Sequence, residues 1–355
     1  MKRLKVLYGV VGEGMGHATR SKVVLTSLAR RHDVKIVVSG RAHAFLKTAF
    51  PDVVEIDGLH MIYADNAVDR DATLVSNLSV APALVMENVR AYFEHVRDFE
   101  ADVVVSDFDS FAYLYGKFHD IPVLSVDNMQ IINRCKHEAA ILDGFRGDFR
   151  IAKTIVKMKL PGCYHYLITT FFYPKIRKTR TSLYPPILRP EILSAVSTRG
   201  DHVVVYQTSS SYTGLLPVLE SLSNVEFRIY GLGREETDGN LTLRPFSEAG
   251  FIADLASARA VIAGGGFSLM GEAVYLHKPT LSVPLRGQFE QVLNARYLQH
   301  LGYGLCVEEL DKETIVRFLE RTGEFADRLS AYVQDGNAKL LENVERLAVE
   351  AATVG

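Results

Sequence analysis

Ala260-Val261-Ile262-Ala263-Gly264-Gly265-Gly266-Phe267-Ser268 runs from four apolar residues through three consecutive glycines into a segment of helical period that carries Glu272. A short strand that ends in a glycine turn and a helix is the repeating unit of a parallel α/β sheet. Glycines let the backbone approach a ligand, and the amides and dipole of a helix start favour negative charge, so this turn is a candidate diphosphate site. Glu272 falls one helical turn beyond Ser268, where a carboxylate can take both hydroxyls of a ribose. Ser268 does not sit in a G-x-S-x-G hydrolase elbow, because Met270 stands where that pattern needs glycine.

The same alternation extends on both sides of this stretch. In the second half, strands are expected at Val203–Gln207, Glu226–Tyr230, Leu241–Arg244, Ala260–Ala263 and Thr280–Val283, with helices near Gly214–Leu222, Ala249–Ala256, Leu269–Leu276 and Phe289–His300. In the first half, the strand candidates are Lys5–Val11, Val34–Ser39, Val53–Ile56, Val103–Ser106, Val123–Val126 and Tyr166–Thr170. Helices fit between most of them, at Ala18–Arg31, Ala42–Phe50, Leu84–Glu100 and Phe111–His119. A chain of 355 residues is roughly twice the usual size of one domain. The division expected is a Rossmann-like domain at 1–173, a proline-rich linker at 174–190, a second Rossmann-like domain at 191–340 and a helical tail at 341–355.

A second glycine loop follows the first strand, Gly12-Glu13-Gly14-Met15-Gly16-His17, with a helix expected from about Ala18. Gly14 and Gly16 open this loop to a polar or anionic ligand. A dinucleotide fingerprint fits poorly: its third glycine falls on His17, and the second strand ends in Ser39-Gly40-Arg41 without the acidic residue that binds ribose. No Gly-Lys-Ser/Thr follows, which excludes a Walker loop. Histidines titrate near neutrality, so His17 at the mouth of a sheet is a candidate general base, and capping of the loop is its structural alternative. Asp107 ends a strand at the same sheet edge, where it could bind the second ring nitrogen and fix the tautomer. Asp109 suits the cap of the helix that follows. Asp107-Phe108-Asp109 also spells a D-x-D, but it lies in the first half, away from the candidate diphosphate turn, and no metal is expected there. Gln207-Thr208-Ser209-Ser210-Ser211 precedes another helix, and Ser209 and Ser210 offer further hydroxyls and amides to phosphate.

Bulk composition narrows the class. The net charge is only -2, so no global basic footprint points to nucleic acid. The three cysteines, Cys135, Cys163 and Cys306, form no metal-ligand spacing and suit a reducing, cytoplasmic compartment. The first residues lack a signal-cleavage pattern, and no apolar run approaches the roughly 18 residues that span a bilayer. Between 134 and 180 basic residues are frequent, and Ile151–Leu160 alternates lysine with apolar side chains. A helix there has one apolar and one basic side, a candidate for peripheral contact with the inner face of a membrane and a lipid-linked acceptor.

Residues Arg244-Pro245-Phe246 through Gly302 resemble the nucleotide-sugar signature of GT-B glycosyltransferases, in particular the MurG-like and UDP-glycosyltransferase group. Gly12 through Arg20 is similar to the amino-terminal loop of uncharacterised MurG-like bacterial and archaeal glycosyltransferases. The resemblance implies two Rossmann-like domains facing each other across a cleft, the acceptor-binding one at 1–173 and the nucleotide-sugar-binding one at 191–340, with a nucleotide-diphosphate sugar, UDP-linked by expectation, as co-substrate and no obligatory cofactor. It implies that Phe246 sets its backbone against the base, Glu272 holds the ribose, and Gly265, Gly266, Phe267 and Ser268 line the diphosphate. Gln288 and Gln291 would face the donor sugar, and His17 with Asp107 resembles a catalytic dyad that transfers the sugar with inversion. The plant-type enzymes carry a tryptophan in their signature, and this chain has none, so the bacterial subgroup is the closer comparison. Gly14-Met15-Gly16-His17 with Arg20 is also similar to the loop of a nucleotide-sugar hydrolase of pseudaminic acid synthesis, in which histidine activates water. A non-catalytic nucleotide-sugar binder is the remaining alternative.

Overall fold

The computed structural model describes residues 2–12, 14–57, 86–207, 214–245 and 247–353, and the backbone of 63–64 and 67–68. Two seven-stranded sheets organise it. The first is built from β1 (Lys5–Val10), β2 (Asp33–Ser39), β3 (Val53–Ile56), β4 (Val103–Asp107), β5 (Val123–Asp127), β6 (His165–Thr169) and β7 (Thr181–Tyr184). These lie in the order β7-β6-β5-β4-β1-β2-β3, every pair parallel. The second comprises β8 (Val203–Tyr206), β9 (Phe227–Tyr230), β10 (Glu236–Asp238), β11 (Leu241–Leu243), β12 (Ala260–Ala263), β13 (Thr280–Ser282) and β14 (Gly304–Cys306). Its order is β10-β11-β9-β8-β12-β13-β14, with only the edge strand β10 antiparallel.

Strands such as Val103-Val104-Val105 are apolar on both faces because helices cover both sides of a parallel sheet. The helices that matter for the site are α1 (Met15–Leu28), α2 (Ser110–Phe118), α3 (Arg146–Lys159), α4 (Glu248–Ser257), α5 (Phe267–Tyr275), α6 (Phe289–His300) and α7 (Ala338–Ala352). In each sheet the strand order reverses direction beside its first strand, between β1 and β4 and between β8 and β12. Crevices open at the carboxyl ends of strands at such switch points.

Four elements differ from the sequence expectation. Helix α1 begins at Met15 rather than Ala18, because the extended Gly14 (φ -160°) serves as its N-cap and places His17 in the first helical turn. Within the stretch 174–190, expected as linker, Thr181–Tyr184 pairs with β6 as the edge strand of the first sheet. Four residues flanked by Arg180 and Pro185 are too short for a periodic signal. Strands β10 and β14, of three residues each, escape notice for the same reason.

The halves share one apolar core. Phe171 and Phe172, beyond β6, cluster with Phe267, Met270, Phe289, Leu293 and Tyr297 of the second half. Phe172 stacks on Tyr297 with ring centroids 3.9 Å apart, and Phe171 on Phe267 at 6.2 Å. Such pairs contribute about 0.5–1.5 kcal/mol each beyond area burial. The carboxyl-terminal helix α7 returns to the first half and buries Leu340, Val344, Leu347, Ala348 and Ala351, one stripe of helical period, beside α1, β4, β5 and β6. Both crossings between the halves are tied by one side chain: Asn337 accepts from Leu188 N at 2.9 Å and donates to Leu188 O at 2.7 Å.

His137 sits in this shared core. Its Nε2 donates to Ile131 O at 3.1 Å, and its Nδ1 accepts from the Tyr297 hydroxyl at 2.9 Å, an arrangement that needs a neutral ring. Burial pushes its pKa down to about 4. The unfolded chain therefore binds more protons between about pH 4 and 6.5, and this part of the stability is present above 6.5 and lost as pH falls through that window. Urea unfolding is expected to show a loss of up to about 3 kcal/mol from pH 6.5 to 4 that is absent in His137→Asn; equal slopes for parent and variant would contradict it.

Candidate active site

At the switch point of the first sheet, β1 and β4 lie in register with Val10 opposite Asp107, so the carboxylate emerges directly below the start of α1. Asp107 is fully buried and accepts four contacts: from Arg20 Nε at 2.8 Å, from Arg20 Nη2, from Ser21 Oγ at 2.8 Å and, in the tautomer protonated at Nδ1, from His17 Nδ1 at 2.9 Å. Two oxygens have about four acceptor positions, so the set is complete. Burial alone would raise the Asp107 pKa, yet the charge of Arg20 and the neighbouring His17 hold it well below the usual carboxylate range. Arg20 Nη2 also lies 2.6 Å from His17 Nδ1. With Nδ1 engaged, Nε2 is the ring nitrogen left for chemistry, and the side chain keeps 17% of its surface open.

Phe108 adopts a left-handed conformation (φ +56°), which turns the chain sharply between Asp107 and Asp109. Asp109 caps α2, accepting from Ala112 N at 2.8 Å, and burial raises its pKa to about 6. The two carboxylates of the D-x-D therefore serve different partners.

In the second half, the glycine turn after β12 is held from below. Gln291 Oε1 accepts from Gly265 N at 2.9 Å and from Leu285 N at 3.1 Å, while its Nε2 donates to Gln288 Oε1. A Cβ on Gly265 would sit 2.2 Å from Gln291 O, so only glycine fits there. Gln291 is thus spent on backbone rather than turned to a donor sugar, and the Gly265 amide is not available to phosphate. Gly266 is the N-cap of α5 and supplies no side chain, which leaves the first-turn amides of Phe267, Ser268 and Leu269 without a helical partner. Among the described residues, apart from its chain neighbours, nothing lies within 4 Å of where a Gly266 Cβ would be.

Glu272 is buried, and Arg189 forks onto it, Nε to Oε1 and Nη2 to Oε2, both at 2.8 Å. Arg189 Nη1 donates also to Glu248 at 2.8 Å. Burial pushes the Glu272 pKa up, against the opposing effect of Arg189. Ser209, Ser210 and Phe246 lie outside the described residues.

The two half-sites touch. Gly16 packs so closely on α5 that a Cβ there would come 2.5 Å from Ser268 Oγ. A polar chain runs beside this contact: Arg20 Nη1 donates to Asn128 Oδ1 at 2.5 Å, and Asn128 Nδ2 to Glu290 Oε1 at 2.7 Å. Asn294 Nδ2 then donates to Glu290 Oε1 at 3.3 Å and to Gly265 O at 3.0 Å. Sequence reasoning singled out His17, Asp107 and the glycine turn, but gave no role in this chain to Arg20, Asn128 or Glu290. Arg20 carried a signal, since it follows His17 by three residues on one helix face; Asn128 and Arg189 carried none.

Comparison with known proteins identifies the family. Residues 4–323 match the model of glycosyl transferase family 1. Uncharacterised glycosyltransferases of Methanosarcina mazei and Methanosarcina acetivorans are each 23% identical, over 331 and 328 residues, with 85% of this chain and 85% of theirs covered. The fold is similar to the glycotransferase of kitacinnamycin (TM-score 0.70, 16% identity, 98% of this chain and 100% of that one). It is similar also to the calicheamicin glycosyltransferase CalG4 (0.62, 17%, 98% of both) and to the spinosyn rhamnosyltransferase SpnG complexed with thymidine diphosphate (0.62, 17%, 96% and 100%). With a family match that runs through both sheets and this shared architecture, the chain belongs to glycosyl transferase family 1 and is a GT-B glycosyltransferase.

Proposed function

We propose that this glycosyltransferase moves a sugar from a nucleoside-diphosphate donor, UDP-linked in our reading, to an acceptor hydroxyl with inversion, and that His17 is the general base. The observation that carries this reading is the contact of Gly16 with Ser268, which brings the helix turn bearing the histidine against the helix start suited to a diphosphate. His17 Nε2 takes the acceptor's proton as that oxygen attacks the anomeric carbon. The bond from that carbon to the diphosphate oxygen breaks, and the electron pair leaves with the nucleotide. The amides of Phe267, Ser268 and Leu269 and the dipole of α5, worth about half a charge, stabilise the departing phosphate. Asp107 stabilises the imidazolium that forms.

Glu272 suits the ribose. Arg189 occupies one acceptor position on each of its oxygens, and each oxygen keeps another for a ribose hydroxyl. Arg189 therefore holds the carboxylate in place. Gln288 remains the candidate contact to the donor sugar from the pair of glutamines.

Incubation with UDP- and TDP-sugars, with and without acceptor alcohols, tests the reading. His17→Ala is expected to slow transfer about 10²–10⁴-fold while a nucleoside diphosphate still raises the melting temperature. Unchanged turnover in the variant contradicts the role of His17, and release of free sugar as fast without acceptor as with it assigns hydrolysis instead. Arg20→Met leaves a buried carboxylate uncompensated and is expected to cost about 3–5 kcal/mol of unfolding free energy, much of it recovered when Asp107→Asn is added. Additive losses in the double variant would contradict that pairing.

A further inference from the structure

We propose that Asn128 is a positioning residue of the transfer site: it seats Arg20 so that His17 keeps the tautomer with its proton on Nδ1, and it ties that seat to Glu290 of the second half. This deepens the reading of His17 as the base and rests on it. Two arrangements of the same atoms compete at His17. With the proton on Nδ1, the ring donates to Asp107 Oδ1 at 2.9 Å, and Nε2 keeps the lone pair that takes the acceptor's proton. With the proton on Nε2, Nδ1 becomes an acceptor, and Arg20 Nη2 stands 2.6 Å away to donate to it. Nε2 then has no lone pair to offer. Arg20 Nη2 also donates to Asp107 Oδ1, the oxygen that His17 shares, so the seat of the guanidinium decides between the two tautomers.

All three nitrogens of that planar group are engaged. Nε and Nη2 fork onto Asp107, and Nη1 donates to Asn128 Oδ1 at 2.5 Å. Released at Nη1, the guanidinium can pivot about Nε and turn Nη2 from the carboxylate to the imidazole. Asn128 is buried and follows Asp127, the last residue of β5, at the same sheet edge as Asp107 on the neighbouring β4. Its amide has one orientation that fits. Arginine only donates, so Oδ1 has to face Arg20; an ionised carboxylate only accepts, so Nδ2 has to face Glu290, which it meets at 2.7 Å. Glu290 belongs to the first turn of α6, where Asn294 Nδ2 holds the same oxygen at 3.3 Å. His137 with the Tyr297 hydroxyl and Arg296 with Asp143 O also bond across the halves, and neither contact includes His17, Asp107 or Arg20. The shared apolar cluster, helix α7 and Asn337 already join the halves. The bond from Asn128 to Glu290 therefore sets the histidine against the second half, beyond what is needed to hold the chain together.

Nitrogen NMR of the histidine rings in the whole, isotopically labelled protein, without substrate and at a pH where the ring is neutral, tests this; His17→Ala assigns the His17 signals. The unaltered protein is expected to show His17 protonated at Nδ1. Asn128→Leu should move its signals toward the tautomer protonated at Nε2. Glu290→Leu should move them the same way, although Glu290 lies in the other half, and Glu290→Gln, which keeps an oxygen for Asn128 Nδ2, should restore them. In the Asn128→Leu background Glu290→Leu should add nothing, the signature of one shared path. Glu290 is half-buried, so Glu290→Leu carries the test if Asn128→Leu does not fold. In turnover with UDP- or TDP-sugars, Asn128→Leu should lower kcat about tenfold or more and leave the donor KM unchanged, since the loss falls on the base and not on nucleotide binding. Unchanged His17 signals in Asn128→Leu, equal effects of Glu290→Leu with and without Asn128, or a raised KM at unchanged kcat would overturn the proposal. If His17→Ala leaves turnover unchanged while Asn128→Leu shifts the ring signals, the base reading fails and the seating of Arg20 by Asn128 stands.

Discussion

A carboxylate with no exposure to water has to be charge-compensated, and for Asp107 the compensating group is Arg20. That requirement sets much of the site. Because α1 starts at Met15, His17 lies on the helix one turn before Arg20 and above the same carboxylate. The remaining arm of Arg20 reaches Asn128, and through Glu290 and Asn294 the chain of hydrogen bonds ends on the carbonyl of Gly265 in the other half. The first turn of α1 and the glycine turn after β12 are thereby linked through one continuous polar path.

The contact between halves is correspondingly tight. Many two-domain chains join through polar, mobile interfaces, but here aromatic stacks and a common apolar cluster surround the polar chain. Helix α7 returns to the first half, and Asn337 ties the two crossings together. Gly16 serves the same end, since a methyl group there would strike Ser268 of the other half.

Most of this fold was legible in the residues. The strand-glycine-helix units of Lys5–His17 and Ala260–Glu272 sit at the two switch points, and Asp107 beside His17 follows from adjacent strands ending at one edge. What stayed hidden depends on distant pairings. Arg20 meets Asn128 and Asn128 meets Glu290 across more than a hundred residues each, and no local period reports such contacts. Arg189 looked like a residue of a basic linker, yet it clamps Glu272. Gln288 and Gln291 are indistinguishable by spacing, and only the depth of the glycine turn shows that Gln291 is committed to backbone amides. Thr181–Tyr184 became a strand because β6 offered an unpaired edge, a tertiary opportunity with no sequence mark.

The reading stands on the diphosphate lying at the start of α5, facing His17. A crystal structure with UDP or TDP bound tests this most directly. Phosphate oxygens are expected about 3 Å from the amides of Phe267, Ser268 and Leu269, with the ribose at Glu272. A nucleotide seated instead on the Gly12–Gly16 loop, or one that leaves those amides unengaged, would contradict it.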